Sequence, residues 1–184
     1  MVKLDVDTIT AYDLAKRLAE CLAIDVQISS KVDKDAYFQF DADKGTMLAA
    51  RIAVSDIAAS EKGNPRTAAS YKAVLKLADG AFGSCAERIP EAVRYAIFCC
   101  LHEFGHCYQS IEWTTDELHA QDAVRKEMCA AAKEEAQTNA DNGLLPGLVF
   151  QIFENKYRSI PIEKDADRRA LAMVKPLLDI WRGC

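Results

Sequence analysis

From Ala92 through Leu101 the chain is almost wholly apolar, and Pro90 stands just ahead of that run. Proline suits the first turn of a helix, where its missing N–H has no intrahelical partner to lose. A helix that is apolar on nearly every side must be buried. Whatever this chain folds into has to be built around a helix running from Pro90 to about Ser110. The remaining length allows it: 184 residues, 50% apolar and 28% charged, have ordinary globular composition and are enough to enclose a core without disulfide staples. No internal period and no Pro/Gly/Ser-rich tract interrupts the chain. One domain over residues 1–184 is expected.

Ahead of the buried helix the hydrophobic period changes. Over residues 8 to 23, Thr10 and Asp13 have capping-box-like spacing, and Leu14, Leu18, Cys21 and Leu22 follow at helical intervals. Ile24, Val26 and Ile28 then alternate with polar residues, as do Phe38 and Phe40, and Leu48, Ala50, Ile52 and Val54 alternate after a turn at Asp43-Lys44-Gly45. Three strands with one hairpin account for this. Residues 64 to 80 carry both signals: Tyr71, Ala73, Leu75 and Leu77 alternate like a strand, but Asn64-Pro65 and Gly80 stand where a helix starts and stops, and a helix is favoured.

After the buried helix the pattern is helical throughout. Thr114 and Glu117 form a capping-box pair ahead of a long Ala/Glu/Lys-rich helix that Asn142-Gly143 would end. Pro146 opens another, with Leu148, Val149, Ile152, Phe153 and Tyr157 on one face. Ile160-Pro161 breaks that helix and begins a last one, which Pro176 should kink or split. The fold class is therefore α+β, with a small mixed sheet packed on the buried helix and a mainly helical C-terminal half.

The buried helix also carries the chemistry. His102-Glu103-Phe104-Gly105-His106 is an HExxH pattern. Histidines four apart share one helical face, so both imidazoles can reach one Zn²⁺ at about 2.0 to 2.1 Å. Glu103 projects beside the pair, close enough to take a proton from a metal-activated water. The plainer alternative is two core histidines and a half-buried carboxylate with partners of their own. Desolvating three ionisable groups within five residues is costly, and a cation is the cheapest compensation. Gly105 agrees, because a mid-helix glycine costs about 1 kcal/mol against alanine and implies the close approach of another segment.

A catalytic zinc has three protein ligands, so a third is required. Glu163 is the best candidate. It stands at i to Asp167 at i+4, so one carboxylate can bind the metal while the other accepts the free N–H of a ligand histidine. Asp165 points elsewhere and is expected to be solvated or to cap its helix. First-turn compensation of the helix dipole is the alternative reading of this acidic cluster. A metzincin arrangement would need glycine at 109 and histidine at 112, where the chain has Gln109 and Glu112. His119 reads as an exposed helix histidine and Cys107 as packing. Tyr157 and Tyr108 could donate to a developing oxyanion but are as readily core residues.

With HEFGH and, downstream, Glu163-Lys164-Asp165-Ala166-Asp167 in the local form ExxA[DN], the chain resembles the gluzincin-type zinc metallopeptidases, and in size the ImmA/IrrE-like minimal zincins of bacteria and mobile elements. The resemblance covers residues 102–106 and 163–167, and the N-terminal third matches only as a helix followed by a sheet. It implies a zincin-like fold, zinc bound by His102, His106 and Glu163, Glu103 as general base, and a peptide or protein as substrate. The interval between His106 and Glu163 implies an inserted acidic helix. The competing class is a zincin-like binding or regulatory module with little turnover. The retained Glu103, which a structural metal site has no need of, favours the enzyme.

Charge and cysteine usage narrow the setting. A net charge of −5 repels phosphate backbones and anionic lipid surfaces, which argues against nucleic-acid and membrane partners. Seven carboxylates between Asp116 and Asp141 against Arg125, Lys126 and Lys133 read as a solvated helix face. Seven cysteines without CxxC spacing are not a disulfide framework. MVKLDVDTIT lacks the pattern of a signal peptide, so a cytoplasmic location is expected.

Overall fold

Thr10 begins the first helix as its N-cap, its hydroxyl accepting the Asp13 N–H at 3.1 Å, and α1 runs Ala11–Leu22 with Leu14, Ala15 and Leu18 fully buried. The computed structural model describes residues 8–31, 37–64 and 67–181. After α1 come β1 (Gln27–Lys31), β2 (Phe38–Asp41), β3 (Thr46–Ala50), α2 (Val54–Gly63), α3 (Ala68–Phe82), a 3₁₀ turn over Gly83–Arg88, α4 (Glu91–Glu112), α5 (Thr115–Asp141), α6 (Pro146–Ser159) and α7 (Pro161–Trp181). The fold is α+β, mostly helical, with one small mixed sheet.

In the sheet the order is β1-β3-β2, with β1 parallel and β2 antiparallel to β3. The hairpin joining β2 to β3 turns at residues 42–45, where Gly45 takes the positive φ of 59° that the turn demands. β2 is an edge strand and lies along α4. Leu14, Leu18, Met47, Ile57, Tyr71, Phe98, Leu101, Phe104 and Leu177 meet in the core, so α1, the sheet, α2, α3 and α7 all pack around α4.

Several boundaries differ from the sequence expectation, for physical reasons. Ile24 and Val26 precede β1. Ala23 turns left-handed at φ 52°, and the Ala23 and Ile24 amides bond back to Glu20 and Ala19 in a Schellman cap, which consumes the residues that would have extended the strand. β3 stops at Ala50. Beyond it Ile52 accepts the Ala11 N–H and the Val54 N–H reaches Ile9, after which Val54, Ile57 and Ala58 turn one face of α2 into the core. Alternation up to Val54 had hidden that helix. α3 passes through Gly80 and ends at Phe82, because Gly83 supplies the positive φ. Pro90 is the N-cap of α4 rather than part of its first turn.

Downstream, the capping box forms as expected, Glu117 Oε2 accepting the Thr114 N–H at 2.8 Å while Thr114 Oγ1 accepts that of Glu117 at 3.3 Å. α5 buries only Ala132, in keeping with a solvated face. In α6 Val149 is buried but Leu148 is 46% exposed, so the inward stripe is narrower than the sequence pattern. α7 is not split. Pro176 and Ala172, whose carbonyl loses its helical partner to the proline, both face solvent. Among the described residues no helix is long and apolar enough to cross a membrane. The six described cysteines are free thiols. Cys184, Pro65 and the first seven residues lie outside the described residues.

Candidate metal centre

α4 and α7 cross almost backbone to backbone at Gly105. A Cβ there would stand 2.8 Å from the Ala166 carbonyl oxygen and 2.9 Å from Ala166 Cα, nearer than side-chain carbons approach backbone. This is the close approach that the mid-helix glycine implied. It sets the 102–106 face of α4 against the 163–167 face of α7, four buried or half-buried residues facing one another.

Glu163 Oε2 lies 3.2 Å from His102 Nε2 and 3.5 Å from His106 Nε2, and the two Nε2 atoms are 3.2 Å apart. A four-coordinate cation with bonds of about 2.1 Å spaces its ligands about 3.4 Å apart. Two imidazoles and one carboxylate converging at that spacing form a donor set that fits such an ion. Among the described residues it is the one group of three or more histidine, cysteine or carboxylate side chains able to hold a metal. His119 is exposed on α5 and outside it, and Cys107 is buried in the packing.

Both histidines have a partner on their far ring nitrogen. Asp167 Oδ1 lies 2.8 Å from His102 Nδ1, and the Arg158 guanidinium of α6 donates to both oxygens of Asp167 at 2.9 Å. Asp167 thus touches the ring nitrogen of His102 that faces away from Glu163. Burial alone would hold Glu163 protonated, but the hydrogen bonds from His102 and His106 outweigh it and pull the carboxyl well below its usual range. Burial likewise disfavours the His102 imidazolium, and the hydrogen bonds to Asp167 and Glu163 reverse the effect, raising its pKa to about 10. Buried anions thus dominate the cluster. Burial together with the nearby Glu163 carboxylate raises the pKa of the Tyr157 phenol.

Glu103 is not one of the three donors. Its Oε2 accepts the Phe40 N–H at 2.7 Å, so the carboxylate is tied to the edge of β2 that faces away from β3. In this register Tyr37 O accepts the Ala50 N–H, which leaves the Phe40 amide pointing away from β3. The Phe40 contact was invisible in the sequence because it is made by main chain. The partner of Asp167, Arg158, comes from a different helix and no local spacing betrays it.

One expectation is corrected. Asp165 is neither solvated nor a helix cap: it accepts from Gln109 Nε2 at 3.0 Å and from Arg169 Nε at 2.6 Å. Its pKa is lowered to about 2, with burial opposing and the hydrogen bonds of Arg169, Gln109 and Arg168 prevailing. Gln109, considered above only as a position where a metzincin has glycine, is buried and bonds to His106 Nδ1 at 2.7 Å. Its position three residues after His106, on the same face of α4, was the available signal.

No protein-family model, curated protein or solved structure matches the chain. The chemistry of the site is therefore read from its own residues.

Proposed function

We propose that the chain is a zinc-dependent peptidase of the gluzincin type, with a zincin-like arrangement of sheet edge, HExxH helix and ligand helix. His102, His106 and Glu163 hold the metal. Zinc bound there supplies Lewis acidity, polarising a carbonyl and bringing the pKa of a water toward about 7. Glu103 takes the proton of the attacking water and delivers it to the leaving amine. The Phe40 amide holds one oxygen of Glu103 and leaves the other for that exchange. Asp167, backed by Arg158, fixes the His102 ring so that Nε2 faces the metal.

The observation that carries the reading is the Glu103 carboxylate, which lies beside a two-histidine, one-carboxylate donor set and bonds to the edge of β2 that among the described residues pairs with no second strand. A structural metal site needs no such base. Beyond the Phe40 N–H, which Glu103 occupies, a strand edge offers main-chain hydrogen bonds to an extended chain, which favours a peptide over a small amide as substrate.

The test is Glu103→Gln, which keeps size and hydrogen bonding and removes the proton acceptor. Metal analysis should find one zinc per chain in both forms, and cleavage of a peptide library should fall by about 10²- to 10⁴-fold in the variant. Undiminished cleavage by Glu103→Gln refutes the mechanism. Zinc without cleavage by the wild type supports a regulatory module instead.

A further inference from the structure

Gln109 is 1% exposed and sits between α4 and α7, with both of its amide hydrogens and its oxygen in contact with protein. Its Nε2 lies 2.8 Å from the Ile162 carbonyl oxygen and 3.0 Å from Asp165 Oδ2, and its Oε1 lies 2.7 Å from His106 Nδ1. A carboxamide carries both of its hydrogens on nitrogen and none on oxygen. Ile162 O and the Asp165 carboxylate can only accept, and Arg169 and Arg168 keep Asp165 in that state. The NH₂ group must therefore face them. Turning the amide over would set Oε1 against two acceptors.

That leaves Oε1 for His106, and the hydrogen in this contact has to come from Nδ1. In the neutral form that metal binding requires, an imidazole has a single N–H, so Nε2 of His106 then carries only its lone pair, and Nε2 is the atom turned toward His102 Nε2 and Glu163 Oε2. We propose that Gln109 is a positioning residue that fixes the tautomer and the orientation of His106 for metal binding. The role rests on the metal centre proposed above.

Two consequences follow from which groups Gln109 joins. Ile162 immediately precedes Glu163, so one rigid amide ties the ring of the second ligand to the backbone beside the third and sets their separation. The two histidines are also oriented by unlike partners. His102 has a carboxylate, Asp167, which raises ligand basicity, whereas His106 has a neutral amide, which orients without adding charge. Both rings are aimed while only one receives the anionic push, which leaves the bound ion the more acidic for it.

The test uses the full chain, zinc alone as probe, and Gln109→Met, which keeps side-chain length and apolar packing but removes both halves of the adaptor. Chelator competition should show zinc bound about 10- to 100-fold more weakly than by the wild type. Nitrogen-15 spectra of the zinc-loaded wild type should show His106 with a protonated Nδ1, and the variant should lose that slowly exchanging proton. A merely structural role would lower the melting temperature and leave the zinc affinity of the folded fraction unchanged. A folded Gln109→Met that binds zinc as tightly as the wild type overturns the proposal. If the variant does not fold, the wild-type spectra decide alone: a His106 bearing its proton on Nε2 overturns it. A wild type that binds no zinc removes the metal centre itself and this role with it, an outcome distinct from either of these.

Discussion

Glu163 and Asp167 stand one turn apart on α7 and face the same histidine, yet they touch different atoms of it: Glu163 the Nε2, Asp167 the Nδ1. Losing a donor and losing an orienter have different costs. Glu163→Ala leaves two imidazoles and should release zinc at micromolar chelator. Asp167→Asn retains an oxygen that can accept the Nδ1 proton and should weaken binding by about 10- to 100-fold. The same chelator titration measures both, and release from Asp167→Asn as complete as from Glu163→Ala would exchange their assignments. His102, Glu103 and His106 were legible because an i, i+4 pair on a buried helix leaves few alternatives, and Glu163 with Asp167 because the same spacing recurs after Pro161. Asp165 was misread, since its partners Gln109 and Arg169 are specified by how two helices cross and not by their neighbours in sequence.

At the scale of the elements, the crossing of α4 and α7 depends on the absence of one carbon. Gly105→Ala would push a methyl into the Ala166 backbone, which cannot move aside as a flexible side chain would. The helices would part, at a cost of about 1 to 3 kcal/mol, with weaker zinc binding as the ligand faces separate. Thermal melting together with zinc titration checks this, and an unchanged zinc affinity would mean that the ligands do not depend on the crossing. The opposite change helps at the end of α1. Ala23 holds φ 52° at a position that favours glycine, so Ala23→Gly should stabilise by about 1 kcal/mol, raising the melting temperature by about 2 to 4 °C. Helix ends marked by side chains, such as Thr10 and the Thr114–Glu117 box, were readable in the sequence. The start of α2 was not, because Ala53 caps it without any side-chain hydrogen bond and Val54 continues the alternation of β3.

For the whole molecule, a metal held by α4 and α7 as proposed would join the central helix of the core to the last helix described. Binding to the folded state alone stabilises it by mass action, so zinc at a hundred times its dissociation constant should add about 2.7 kcal/mol, or about 5 to 11 °C in melting temperature. Calorimetry with and without chelator measures it, and coincident melting curves would show that no ion bridges the two helices. The overall class, helices around a small sheet, could be read from the change of hydrophobic period. The parallel pairing of β1 with β3 could not, since alternation carries no information on strand order.

The long path from α4 out through α5 and α6 and back to α7 also has a meaning in time. Glu163 follows His102 by 61 positions, and at about 5 to 20 residues per second synthesis needs about 3 to 12 s to cover them. During that interval a nascent chain offers an ion two imidazoles and no third donor, while α5, capped at its own start and burying only Ala132, is free to form without waiting for the core. If the proposed centre binds zinc, the order of synthesis would put metal capture last, after the helix that brings Glu163 has closed against Gly105.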